Sequence, residues 1–167
     1  HEWAEFIRSV PVKKGDFFQI DPGCLHAIKG GTLILETQQS SDITYRVYDY
    51  DRLSDGKPRP LHVEQSIATI KAPFVPSGET PVSEILEGAE HTHLIRCRYY
   101  SVDKYDVHGV FVHEFSSYFT NVSILDGEGT VNGIAVKKGD HFIVPHGYGT
   151  CRFEGEFSMI CSNPETE

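Results

Sequence analysis

The sequence predicts an all-β chain, on three observations: apolar residues alternate over short runs, Gly, Pro and Asp break those runs at close intervals, and one strand–turn unit occurs twice. At 167 residues there is room for one domain or two small ones with a real core.

Trp3, Phe6, Ile7 and Val10 fall at helical spacing, so residues 1–10 read as the end of a helix that Pro11 closes. From Val12 the pattern turns to β. Strands are expected at 17–21, 32–37, 43–49, 94–102, 107–113, 119–125, 129–135, 141–144 and 156–161. One amphipathic stretch interrupts them, where Leu61, Gln65, Ile67, Ala68 and Ile70 fit a short helix ahead of Pro73. Residues 71–88 hold three prolines and two glycines and read as a linker or crossing segment. Asp126-Gly127-Glu128-Gly129 reads as a hairpin turn; no Gly-Lys-Ser follows it, so it is not a phosphate loop.

The repeat is the most informative feature. Val12-Lys13-Lys14-Gly15-Asp16-x-Phe18 recurs as Val136-Lys137-Lys138-Gly139-Asp140-x-Phe142. In the same register Gly23 falls opposite Gly147, Gly31 opposite Gly155, and Leu33 and Leu35 opposite Phe157 and Met159. A Gly-Asp pair turns the chain into a strand, and a second Gly-containing turn leads it out. In the first copy the outgoing turn, Asp21-Pro22-Gly23, is followed by Cys24-Leu25-His26, and in the second copy Thr150 stands where His26 does.

Composition narrows the function. A formal net charge of −9 argues against nucleic acid as the partner. A local cluster of Arg and Lys can still hold a small phosphorylated molecule. No apolar run approaches the roughly 18 residues of a membrane span, so no membrane role is expected. Cys24, Cys97, Cys151 and Cys161 form no C-x-x-C pair and read as reduced thiols of a cytoplasmic protein.

Gly15-Asp16, a short apolar strand, Pro22-Gly23, two residues and then His26 resemble the second motif of the cupins, jelly-roll barrels that hold a metal inside. The text from Ile34 to Arg52 (Ile-Leu-Glu-Thr-Gln-Gln-Ser-Ser-Asp-Ile-Thr-Tyr-Arg-Val-Tyr-Asp-Tyr-Asp-Arg), with Arg59-Pro60-Leu61-His62, is similar to the short bacterial branch of type I mannose-6-phosphate isomerases. That resemblance is close over about residues 10–70 and looser beyond. It implies a zinc ion held in part by His26, and catalysis by Arg46. The remaining zinc ligands are expected before position 1. The chain opens at His1, and only eleven residues, read as helix, precede the first Val-Lys-Lys-Gly-Asp. Residues 1–72 are thus expected to be the remnant of a catalytic cupin barrel, and 73–167 a complete C-terminal cupin without metal.

Aldose–ketose isomerisation needs a Lewis acid at the carbonyl, a proton shuttle between adjacent carbons and a cationic hold on the phosphate. By the resemblance zinc is the Lewis acid and Arg46 the permanent cation. Glu36 and Asp42 are candidates to bind the sugar or carry the proton, with Lys57 and Arg59 as weaker phosphate candidates. His91-Thr92-His93 lies over thirty residues before Gly127 and reads as exposed strand. The chain alone is expected to be inactive, with unpaired strand edges that invite a homodimer. The alternative is a non-catalytic cupin that binds sugar or serves as an assembly module.

Overall fold

A computed structural model describes residues 7–76 and 80–165. They fall into two compact units, His1–Ser77 and Gly78–Glu167.

The first unit is built mostly of turns and extended segments. Its regular elements are a two-residue pairing of β1 (Leu53–Ser54) with β2 (Lys57–Pro58), and the helix α1 (Val63–Thr69). The β1–β2 hairpin is absent from the sequence reading, although its signal is plain. Asp55-Gly56 takes φ of 52° and 75°, the left-handed pair that a two-residue hairpin turn demands. The expected strands at 17–21, 32–37 and 43–49 are not formed: among the described residues nothing from 7 to 52 is strand. These segments carry β-type residues, but no neighbouring segment offers them a ladder, and Leu33 is left 95% exposed. Of the expected helix at 1–10, residues 1–6 lie outside the described residues, and 7–10 are not helical.

The second unit is one antiparallel sheet curled on itself, an all-β cupin barrel. Its strands are β3 (Val82–Leu86), β4 (Ala89–Arg96), β5 (Tyr100–Glu114), β6 (Phe119–Val131), β7 (Ile134–Lys137), β8 (His141–Pro145) and β9 (Thr150–Pro164). They lie in the order β3-β4-β5-β9-β6-β7, with β8 also on β6. β5 and β9 pair residue for residue, from Tyr100 with Pro164 to Glu114 with Thr150. Strand alternation then sends every second residue inward. From β9 these are Cys151, Phe153, Phe157, Met159 and Cys161; they meet Tyr105, Val107 and Phe111 of β5 and Val122 and Ile124 of β6.

Three boundaries differ from the sequence reading. The stretch 94–102 is two strands, because Cys97 N–H donates to Tyr100 C=O and closes a hairpin between β4 and β5. Within the expected linker 71–88 lies β3, in full register with β4 from Val82–His93 to Leu86–Ala89. Asp126–Gly129 is no hairpin turn but the interior of β6, and the chain reverses at Asn132-Gly133, whose φ values are 48° and 80°. Gly129 serves close approach instead: a Cβ there would sit 2.3 Å from Glu154 O on β9.

Phe153 is fully buried at the centre of the aromatic core. Phe153→Ala is expected to cost the second unit about 3–5 kcal/mol, read as a lowered midpoint in chemical denaturation.

Candidate functional site

The two copies of the repeated turn have the same local structure. In the first, Asp16 N–H donates to Lys13 C=O (3.2 Å) and the Asp16 carboxylate accepts from Lys13 N–H (2.9 Å). In the second, Asp140 N–H reaches Lys137 C=O at 2.9 Å, and its carboxylate accepts from Lys137 N–H at 2.8 Å. The outgoing turns match as well: Cys24 N–H donates to Asp21 C=O (3.1 Å), and Tyr148 N–H to Pro145 C=O (3.2 Å).

His26 follows the first of these turns. Its Nδ1 lies 3.0 Å from Cys24 C=O. A ring nitrogen facing a carbonyl carries the proton, so Nε2 keeps its lone pair and points away, the tautomer a metal ligand needs. His26 therefore fits zinc as a single ligand. Among the described residues no three of His, Cys, Asp and Glu are gathered to hold a metal, so neither Glu36 nor Asp42 joins His26 in such a group. Both carboxylates are exposed, Asp42 at the end of a shallow hollow formed by residues 38–42.

Helix α1 ties His26 and Arg46 to one support. At its start His62 N–H donates to Arg46 C=O (2.7 Å), and Arg46 N–H donates to His62 Nδ1 (3.2 Å). Ser66, buried, anchors that corner by donating both its N–H (2.9 Å) and its hydroxyl (2.7 Å) to His62 C=O. At the other end Lys71 N–H donates to Gly23 C=O (3.0 Å) in the turn that precedes His26. Gly23 has φ of 90°, and a Cβ there would lie 2.8 Å from Thr69 O, so only glycine lets the turn sit against the helix.

Arg59 is not a free phosphate contact. Its Nε donates to Asp49 Oδ2 (2.6 Å) and its Nη2 to Asp49 Oδ1, a bidentate pair. The Arg59 hydrogen bonds hold the Asp49 carboxyl below the usual carboxylate range, with Arg52 and Arg46 adding their charges. Arg59 alone bonds the Asp49 carboxylate; Arg52 and Arg46 act on it through their charge. The sequence reading took Arg59 singly and missed that pairing, because Asp49 lies ten residues away across the β1–β2 hairpin.

Residues 89–164 match the family model for the mannose-6-phosphate isomerase cupin domain. Over 97% of its length the chain is 44% identical to the mannose-6-phosphate isomerase ManA of Bacillus subtilis strain 168, covering 53% of that protein. The chain belongs to the mannose-6-phosphate isomerase family. It is also 40% identical to the mannose-6-phosphate isomerase of Streptococcus mutans, again over 97% of this chain and 52% of that one. The crystal structure of the mannose 6-phosphate isomerase from Bacillus subtilis superposes with a TM-score of 0.70 at 34% identity, over 75% of this chain and 41% of that chain. The chain spans about half the length of the curated relatives it matches.

The second unit of this chain also holds a polar cluster that corrects the reading of His91 and His93. They are strand residues, in β4, but they are half-buried on its inner face rather than exposed. His91 Nε2 and His93 Nδ1 both reach Asp103 Oδ1, at 2.9 and 2.8 Å, and His91 Nδ1 reaches Glu84 Oε1 at 2.9 Å. The His91 ring stacks on Tyr105 with centroids 4.7 Å apart. Burial opposes a charge on His91, but the hydrogen bonds and charges of Glu84 and Asp103 outweigh it and raise its pKa above 6.5. Deeper in, burial lowers the pKa of His113, and the neighbouring His91 lowers it further. The signal for the cluster was present as His-x-His, but its carboxylate partners come from two other strands.

A raised folded-state pKa stabilises the protonated form. The His91 contribution is therefore complete below about pH 6.5 and is lost as pH rises through the folded value. Urea midpoints of the chain and of a His91→Gln variant are expected to differ most below about pH 6.5 and to converge as pH rises above it. A constant difference would assign His91 a packing role only.

Proposed function

We infer that this chain is part of an enzyme that interconverts mannose 6-phosphate and fructose 6-phosphate with zinc. The observation that carries the reading is the common support of His26 and Arg46: one short helix holds the turn before the histidine at its end and the arginine backbone at its start. Family membership adds the chemistry, since the relatives are named mannose-6-phosphate isomerases.

In this reading His26 donates Nε2 to the zinc, and the other ligands belong to the half of the family's length that the chain does not span. Zinc held there would supply a Lewis acid for the sugar carbonyl. Arg46 sets its guanidinium against the oxyanion or the phosphate. Arg52 extends that field, while Arg59 and Asp49 brace the segment that carries it. Glu36 and Asp42 are the proposed sugar-binding carboxylates, suited to accept hydrogen bonds from hydroxyls. The sugar phosphate is the proposed partner, in a cytoplasmic setting. The 167-residue chain by itself is inactive in this reading.

The test is NMR observation of mannose 6-phosphate with zinc, using the chain within a protein of the relatives' full length and the chain alone. Fructose 6-phosphate is expected to appear with the full-length protein only. Arg46→Ala is expected to lower kcat by about 100-fold or more, the usual loss when a charge-stabilising donor is removed. No turnover by the full-length protein sinks the isomerase reading; turnover by the chain alone sinks the assignment of missing ligands.

A further inference from the structure

Arg46 has no strand ladder to aim it. The segment 43–49 is not strand among the described residues, and Arg59 rather than Arg46 bonds the Asp49 carboxylate. A guanidinium without such a tie points where its own backbone sends it. Whatever fixes the peptide groups of Arg46 therefore sets the direction of its charge.

One residue takes both of those groups. His62 N–H donates to Arg46 C=O at 2.7 Å, and the His62 ring nitrogen Nδ1 accepts from Arg46 N–H at 3.2 Å. The ring is available for this because His62, although the N-cap of α1, makes no side-chain hydrogen bond to its own helix. His62 is itself held in place. Its carbonyl accepts the N–H and the hydroxyl of buried Ser66, at 2.9 and 2.7 Å, and Tyr45 lies beside the ring with centroids 6.0 Å apart.

A ring nitrogen that accepts carries no proton, so the neutral His62 ring has its proton on Nε2. His26 is the opposite case, with its proton on Nδ1 and its lone pair on Nε2. The two histidines thus divide their roles by tautomer. His26 suits a metal, whereas His62 has no lone pair to spare for one.

We propose that His62 is the positioning residue of the site, aiming Arg46 at the substrate only while its ring is neutral. What Arg46 does there rests on the isomerase reading above; the clamp on its backbone does not. A second proton on the ring goes to Nδ1, the nitrogen that faces Arg46 N–H. Two donors then meet, and half-buried Arg46 loses the acceptor of its amide. The titratable and charged groups around the ring are Tyr45, Arg46 and, in the first turn of α1, Glu64. Turnover accordingly falls as the ring protonates, in addition to any release of zinc.

The first arm of the test is NMR of the chain itself, which needs no substrate. The Arg46 amide signal is expected to move with pH in step with the His62 ring. That movement should vanish in His62→Asn, whose Oδ1 stands as many bonds from Cα as Nδ1 does and accepts without titrating. The second arm is turnover of mannose 6-phosphate by the chain within a protein of the relatives' full length, with bound zinc measured alongside. His62→Leu is expected to lower kcat by about 10–100-fold at unchanged zinc content, as a misplaced catalytic group does. His62→Asn should recover most of that loss and extend activity to lower pH, and His62→Gln, with its oxygen one bond further out, should not. An Arg46 amide indifferent to the His62 ring overturns the clamp, and equal losses in His62→Asn and His62→Leu overturn the positioning role. Absence of turnover by the unsubstituted full-length protein counts against the isomerase reading instead, and the NMR arm still decides the clamp.

Discussion

The β5–β9 ladder is the constraint on which the second unit depends. Two fifteen-residue strands, Tyr100–Glu114 and Thr150–Pro164, run antiparallel in unbroken register. β4 attaches to β5 and carries β3 on its outer side, while β6 pairs with β9 and carries β7 and β8. Because the register is fixed, alternate residues of β9 all face the core, and shifting it by one would turn Phe153, Phe157 and Met159 outward. The glycines at the β6–β9 crossing belong to the same constraint, for Gly129 and Gly155 let the two backbones approach where any Cβ would collide. The cupin interior is the consequence of that one pairing.

The first unit shows what happens without such a ladder. Its Lys13–Asp16 and Asp21–Cys24 turns close through the same hydrogen bonds as their repeats in the second unit. In the second copy the turn is also tied to β6, with Gly139 N–H donating to Ile124 C=O and Ile124 N–H to Asp140 C=O. No equivalent backbone tie to a strand holds the first copy among the described residues, and the segments after its turns form no strand. Turns are settled by local hydrogen bonds; strands are settled by neighbours.

Helix α1 compensates in part. Only seven residues long, it would not stand alone in water. It is held by what it holds: His62 exchanges two backbone-directed bonds with Arg46, and Lys71 reaches back to the Gly23 turn. His26 and Arg46, the residues proposed for zinc and for charge stabilisation, are thereby tied to one frame, although twenty positions separate them in sequence. In the second unit the corresponding position is Thr150, a poor zinc ligand, and half-buried polar residues on the inner face include His91 and His93 of β4 and Asp103 of β5.

By itself the sequence determined the β character of the chain, the helix near residues 61–70, the duplicated turn, the family, and His26 and Arg46 as residues to examine. All of these rest on short-range information: turn chemistry, alternation, and a motif contiguous in the chain. The tertiary structure decided what depends on partners distant in sequence. It decided which β-type segments became strands, that Asp126–Gly129 runs on through β6 because β9 needs glycines there, and that Arg59 is bound to Asp49. It also decided that His91 and His93, unremarkable as neighbours on a strand, meet Asp103 and Glu84 on the inner face of a barrel. Alternation places a side chain on a face, but only the sheet order says what stands opposite it.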